Sequence, residues 1–124
     1  MKVLFGPNGD MDLENSIPEL SGQFPDVEFL VSTSYVEAVQ QVVDVDIIVG
    51  WINQAMLEAA KNLKWIQSIS SETNYYLNIP GLADSNILLT SASGTHGACL
   101  AESAMGMIFC LYSWYSQVYS KPKY

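Results

Sequence analysis

Short apolar runs alternate along this chain with stretches whose apolar residues recur every three or four positions. Lys2 to Phe5 reads as a first strand, closed by the turn-rich Gly6-Pro7-Asn8-Gly9. Ser16-Ile-Pro-Glu19 has capping-box spacing and predicts a short helix from near Ile17 that stops by Gly22 or Pro25. VEFLV at 27–31 is a second strand. Ser34-Tyr-Val-Glu37 repeats the capping signature, and Val36, Ala38, Val39, Val42 and Val43 give the next helix its apolar face.

VDIIV at 45–49 is a third strand, closed by Gly50, and Asn53 is placed to cap a helix from Gln54 to Lys61 that buries Met56, Leu57 and Ala60. A fourth strand, LKWIQSI at 63–69, runs into the polar loop Ser70-Ser71-Glu72-Thr73-Asn74; Tyr75 to Ala83 reads as irregular. Ile87 to Leu89 forms the fifth strand, followed by the small-residue loop SASGTHG and a long helix from Ala98 to Tyr119. Up to Tyr112 its only charge is Glu102, so burial on more than one side is expected.

Strands that are nearly continuous apolar runs, alternating with helices, call for a parallel sheet covered on both faces. Right-handed crossovers then favour an α/β, flavodoxin-like, doubly wound five-stranded sheet in the order 2-1-3-4-5, with the long helix at the C-terminal end. At 124 residues and 49% hydrophobic, the expectation is a single domain, with sheet and loops over 1–97 and the helix over 98–119. Ligands in such sheets sit at the carboxyl ends of the strands. Here those ends are Gly6 to Asn8, Gly50 to Asn53, Ser70 to Asn74 and Thr90 to His96.

Composition narrows the chemistry. A formal charge of −8 repels phosphate backbones and argues against nucleic acid. The longest apolar stretch is about half of the roughly 20 residues a membrane span needs, and the start lacks a signal-peptide core, so a cytoplasmic protein without membrane association is expected. Cys99 and Cys110 fall on one helix about 16 Å apart, too far to bridge, and read as small buried apolar side chains. One histidine and no CxxC pair predict no metal site.

No G-x-G occurs, so the Rossmann fingerprint is missing. Nor do strands one and three end in the hydroxyl-rich loop of a flavodoxin or the aspartates of a receiver domain. Gly94, Thr95, His96 and Gly97 form a lone GxxG at a helix start, a corner able to hold an anion through unpaired N–H groups or simply to open the helix. Any histidine-dependent nucleophile has to run through His96, near Ser91, Ser93 and Cys99. Ser70, Ser71, Thr73 and Asn74 make the better small-anion candidate, because a strand-end loop presents successive backbone N–H groups and hydroxyls to a carboxylate. Glu72, in their midst, opposes it.

LKWIQSISSETNYY at 63–76, SASGTHGACLAESAMGMIF at 91–109 and VDIIVGWINQAMLEAAKN at 45–62 resemble the substrate-binding domain of D-isomer-specific 2-hydroxyacid dehydrogenases over nearly the whole chain. The resemblance implies that the amides of Ser70, Ser71, Glu72, Thr73 and Asn74 hold the carboxylate of a small 2-keto or 2-hydroxy acid. Glu72 stands where the family has glycine, Ser91 where it has asparagine, and Ala101-Glu102-Ser103 in place of its A-E-H. Family enzymes continue through a dinucleotide-binding domain for NAD or NADP, with an arginine and an acid-histidine pair.

This sequence stops at Tyr124, and all five of its basic residues are lysine. The expectation is therefore a truncated, excised or engineered substrate-binding domain, with no bound cofactor, no catalytic residues and no activity alone. The alternative is a self-associating structural domain, a homodimer paired through the helix Ala98 to Tyr119.

Overall fold

The computed structural model describes residues 1–7 and 14–119, so Asn8 and Gly9 of the first predicted turn lie outside the described residues. Five parallel strands form one sheet in the order β2-β1-β3-β4-β5. They are β1 (Lys2–Phe5), β2 (Glu28–Val31), β3 (Ile47–Val49), β4 (Trp65–Gln67) and β5 (Leu88–Thr90). Between them run α1 (Ile17–Gln23), α2 (Tyr35–Gln41), α3 (Gln54–Ala59) and α4 (Asn74–Leu77), and α5 (Gly97–Tyr119) follows β5. The doubly wound flavodoxin-like order is thus the one expected.

Strand register sorts the side chains into rows. Leu30, Leu4, Ile48, Ile66 and Leu89 lie side by side across the sheet. Leu4, Ile48 and Ile66 are fully buried and pack in one cluster with Ala38 of α2, Met56 of α3 and Tyr76 of α4. Each such burial is worth about 1.5–3 kcal/mol relative to exposure. The adjacent row, Phe29, Val3, Ile47, Trp65 and Leu88, points to the other face, where Leu20 and Phe24 contribute from α1 and its exit.

The caps divide. Ser34 accepts from the Glu37 amide at 3.3 Å, and the Glu37 carboxylate accepts from the Thr33 amide at 3.2 Å, so α2 is closed reciprocally one residue ahead of the expected box. Asn53 Oδ1 accepts from the Met56 amide at 2.9 Å at the start of α3. Ser16 makes no side-chain cap: a 3-10 turn, Glu14–Ser16, runs straight into α1 and leaves Ser16 helical, with φ −85° and ψ −15°, whereas a capping residue is extended.

Other boundaries shift. The third and fourth strands are shorter than their apolar runs, and Leu63, read as strand, is buried in the core just ahead of β4. The segment read as irregular opens with a single helical turn, α4.

At the amino-terminal edge, Lys2 Nζ pairs with Asp44 at 2.9 Å and Glu28 at 3.4 Å, and Lys64 Nζ pairs with Asp46 at 2.6 Å. The Lys2 amide also donates to Asp46 Oδ2 at 2.9 Å. The Lys2 hydrogen bond holds the Asp44 carboxyl below the usual range, and the Lys64 hydrogen bond does the same for Asp46. Lys2 is raised in turn by its bond to Asp44.

The chain divides into two compact units, Met1–Ala92 and Ser93–Tyr124. Within the second, Gly94 takes a positive φ of 87°, a turn that glycine adopts without strain, and the helix opens at Gly97. None of the side chains of α5 is buried, contrary to the expectation from its composition. Cys99 and Cys110 are likewise free and exposed where buried side chains were expected. Among the described residues of that unit a turn and one helix offer no second surface to cover them.

Candidate functional site

Because all five strands run parallel, their carboxyl ends meet at one edge, and the loop expected to bind a carboxylate lies there, after β4. Its anchor is Ser68, fully buried, whose hydroxyl accepts from the Ser70 amide and donates to the Ser70 carbonyl, both at 3.1 Å. The same Ser70 carbonyl accepts from the Ala92 amide at 3.0 Å. Ser70 Oγ then accepts from the Glu72 amide at 3.2 Å, while Glu72 Oε1 accepts from Asn74 Nδ2 at 3.1 Å. Beyond that point the Thr73 carbonyl receives the amides of Tyr76 and Leu77 and starts α4.

Two of the five predicted amides, those of Ser70 and Glu72, are therefore used inside the loop. The amides of Ser71 and Thr73 make no hydrogen bond among the described residues. Ser71, Glu72 and Asn74 are exposed, and Ser70 and Thr73 are half-buried. The Glu72 carboxylate is turned to Asn74 within the loop.

An aromatic cluster stands behind this loop. Trp51, directly after the glycine that ends β3, stacks on Tyr76 at 5.6 Å and 8° and meets the edge of Tyr75 at 5.1 Å and 87°. Tyr76 OH donates to the Gly50 carbonyl at 2.9 Å and Tyr75 OH to the Ile52 carbonyl at 2.7 Å, so α4 is tied to the end of β3. Burial raises the Tyr76 phenol above its ordinary range and keeps it a neutral donor. Gly50 has φ 118°, which lets the chain turn from β3 into Trp51. Ser68, Trp51, Tyr75 and Tyr76 lie inside segments the sequence reading marks but are not singled out there as site residues, although a Tyr-Tyr pair after a strand-end loop and a tryptophan after a strand-end glycine were the signals to join.

The end of β1 is closed. The Gly6 amide is spent on the Val49 carbonyl at 2.9 Å, Pro7 has no amide hydrogen, and a Cβ at Gly6 would lie 2.9 Å from the Trp51 carbonyl oxygen. These residues do not make the glycine cradle that a pyrophosphate needs. Gly94, Thr95, His96 and Gly97 form an exposed turn in the second unit: the Gly94 carbonyl accepts from the Gly97 amide at 3.4 Å and the His96 carbonyl from the Leu100 amide at 3.0 Å. Among the described residues no group of three or more histidine, cysteine or carboxylate side chains is placed to hold a metal ion. No helix among them is long and apolar enough to cross a membrane.

No family model and no curated protein matches the sequence. One solved structure does match the fold: an acyclic imino acid reductase (Bsp5) in complex with NADPH and D-Arg, with a TM-score of 0.63 at 18% identity. The likeness covers 100% of this chain and 43% of that one, so the chain spans less than half the length of the reductase. What the match shows is the fold alone, an α/β architecture shared over the full length of this chain.

Proposed function

We propose that this chain is the substrate-binding domain of an NAD(P)-dependent oxidoreductase of the D-2-hydroxyacid dehydrogenase type. It binds a small 2-keto or 2-hydroxy carboxylate, and the nicotinamide is held by a different domain. The observation that supports it is the loop after β4, where Ser68 fixes the backbone and leaves the Ser71 and Thr73 amides without a partner among the described residues, at the edge where doubly wound sheets take ligands. The reductase of the same fold is described with D-Arg, whose α-carboxylate is the group this loop would receive.

Chemistry is divided accordingly. The loop orients the carboxylate, and the Trp51, Tyr75 and Tyr76 cluster braces the loop through its ties to the end of β3. Hydride and the cation that polarises the keto oxygen come from outside these 124 residues, since the sequence has no G-x-G and no arginine. Alone, the chain is expected to be inactive.

The test is a two-dimensional amide NMR titration with pyruvate, oxamate and NADH in separate series. Shifts confined to Ser70 through Asn74 with the two carboxylates, and none with NADH, are the expected result. A dispersed spectrum that stays still at millimolar carboxylate would sink the proposal.

A second reading, a structural domain that self-associates through Ala98 to Tyr119 and needs no ligand, is favoured by the exposure of every large apolar side chain of α5.

A further inference from the structure

The loop after β4 carries a charge that no group of its own unit balances. Glu72 lies between Ser71 and Thr73, the residues whose amides make no hydrogen bond among the described residues. Its own amide donates to Ser70 Oγ at 3.2 Å, and one carboxylate oxygen, Oε1, accepts from Asn74 Nδ2 at 3.1 Å. The other oxygen, Oε2, accepts nothing among the described residues, and Glu72 enters none of their ion pairs.

The bases of Met1–Ala92 stand elsewhere. Lys2 opens β1 and pairs with Asp44 and Glu28, and Lys64, just ahead of β4, pairs with Asp46. Lys61 also precedes β4, and its amide donates to the carbonyl of Val43, ahead of β3, at 3.1 Å. All three belong to the amino-terminal side of parallel strands, whereas Glu72 follows the carboxyl end of β4. The sequence has no arginine, so no cation among the described residues of this unit shares the loop's edge.

Three consecutive residues thus offer two N–H donors and, between them, an acceptor with a negative charge. A lone anion is matched by only half of that set. A 2-keto acid brings a carboxylate that the amides attract and Glu72 repels. A 2-amino acid brings the same carboxylate with an ammonium on the next carbon, so donors and acceptor are both answered.

We infer that Glu72 sets the substrate class of this loop: a 2-amino or 2-imino acid with a protonated α-nitrogen, taken in preference to the 2-keto acid of the same skeleton. The amides of Ser71 and Thr73 receive the carboxylate, and Glu72 Oε2 accepts from the nitrogen. This rests on the carboxylate loop proposed above and refines which acid it holds best. Unit charges a few ångströms apart near a protein surface change an equilibrium by about tenfold or more, enough to choose between two ligands that differ in one charge.

The experiment uses the full chain and ligands of one three-carbon skeleton. Amide NMR titrations with D-alanine, L-alanine and pyruvate are run in separate series on the unaltered chain and on Glu72→Gln, which keeps an oxygen for Asn74 and removes the charge. On the unaltered chain, one or both alanines are expected to bind at least tenfold more tightly than pyruvate. The Ser71 and Thr73 amides should shift with every ligand, and the Glu72 carboxyl carbon with alanine. Glu72→Gln should weaken alanine and tighten pyruvate, lowering the ratio of their affinities at least tenfold. If Glu72→Gln does not fold, the ratio on the unaltered chain decides. Pyruvate bound as tightly as alanine, or a ratio that Glu72→Gln leaves unmoved because both ligands weaken alike, overturns this inference and leaves the carboxylate loop standing. No shift with any of the three overturns both.

Discussion

The two faces of the sheet are made from alternate residues of the same five strands, yet among the described elements of Met1–Ala92 α2, α3 and α4 close one and α1 lies on the other. On the closed face Leu4, Ile48 and Ile66 have no exposure; on the other, their neighbours Ile47, Val49 and Trp65 remain half-buried. Composition does not separate these faces, since isoleucine and valine occupy both. Connectivity does: one crossover turns back toward β2, three go forward, and handedness assigns each helix to its side. Apolar content therefore states how much surface wants cover, and strand order states which part receives it.

The sharpest break of this comparison is a pair of adjacent truncations. Ile48→Ala, on the closed face, is expected to cost about 2–5 kcal/mol in urea unfolding, because the packed helices cannot collapse fully onto the space. Ile47→Ala, one residue earlier, should cost under about 1 kcal/mol when measured at concentrations where the chain is monomeric. Equal losses would show that both faces are equally covered.

Next in size, Tyr76→Phe removes the hydroxyl that joins α4 to the Gly50 carbonyl and should cost about 1–3 kcal/mol, since that acceptor is left without its donor. Smaller again, Asn53→Ala on the closed side should cost about 1 kcal/mol by thermal or urea melting. Ser16→Ala, on the side of α1, should be near neutral because that hydroxyl caps nothing. A Ser16 effect as large as that of Asn53 would mean the two caps are alike.

The smallest expected effect lies at the amino-terminal edge and belongs to neither face. Asp44 and Asp46 are lowered from 3.8, so their contribution is present above that value and fades as pH falls through their lowered titrations. Lys2 is raised from 10.5, so its contribution is present below that value and is lost as pH climbs past its raised one. Melting temperature should be flat between these limits and dip slightly beyond each, less so in high salt, because the Lys2–Asp44 pair is partly exposed. A steep change near neutral pH would contradict the assignment.

Much of this architecture is legible in the sequence, for a physical reason: interior parallel strands are apolar on both sides, so VLF of β1 and IIV of β3 mark themselves without alternation. Their ends are less legible, because an apolar residue such as Leu63 reports burial and not membership of a ladder. A single turn such as α4 is too short for helical periodicity to register. The exposure of α5 was misread since an apolar helix announces a need for cover without saying where the cover is.

Of the candidate site, the position of Ser70 to Asn74 at a strand end follows from element order alone. Its internal wiring does not. Ser68 resembles any other serine until burial points its hydroxyl at the Ser70 backbone, and Trp51 meets Tyr75 and Tyr76 only after some 24 intervening residues have folded into α3 and β4.

The place of β1 inside the sheet, between β2 and β3, bears on how the sheet is assembled. Of these five strands the first to be synthesised pairs with β2 on one side and β3 on the other, and β4 and β5 then add in turn to the free edge. No early strand waits for a late one to fill a gap beside it, so the exposed edge is never wider than the next segment of nascent chain will cover. Assembly in the order of synthesis is expected, with Leu88 to Thr90 the last backbone to dock and the first to exchange its amide hydrogens when the finished sheet opens.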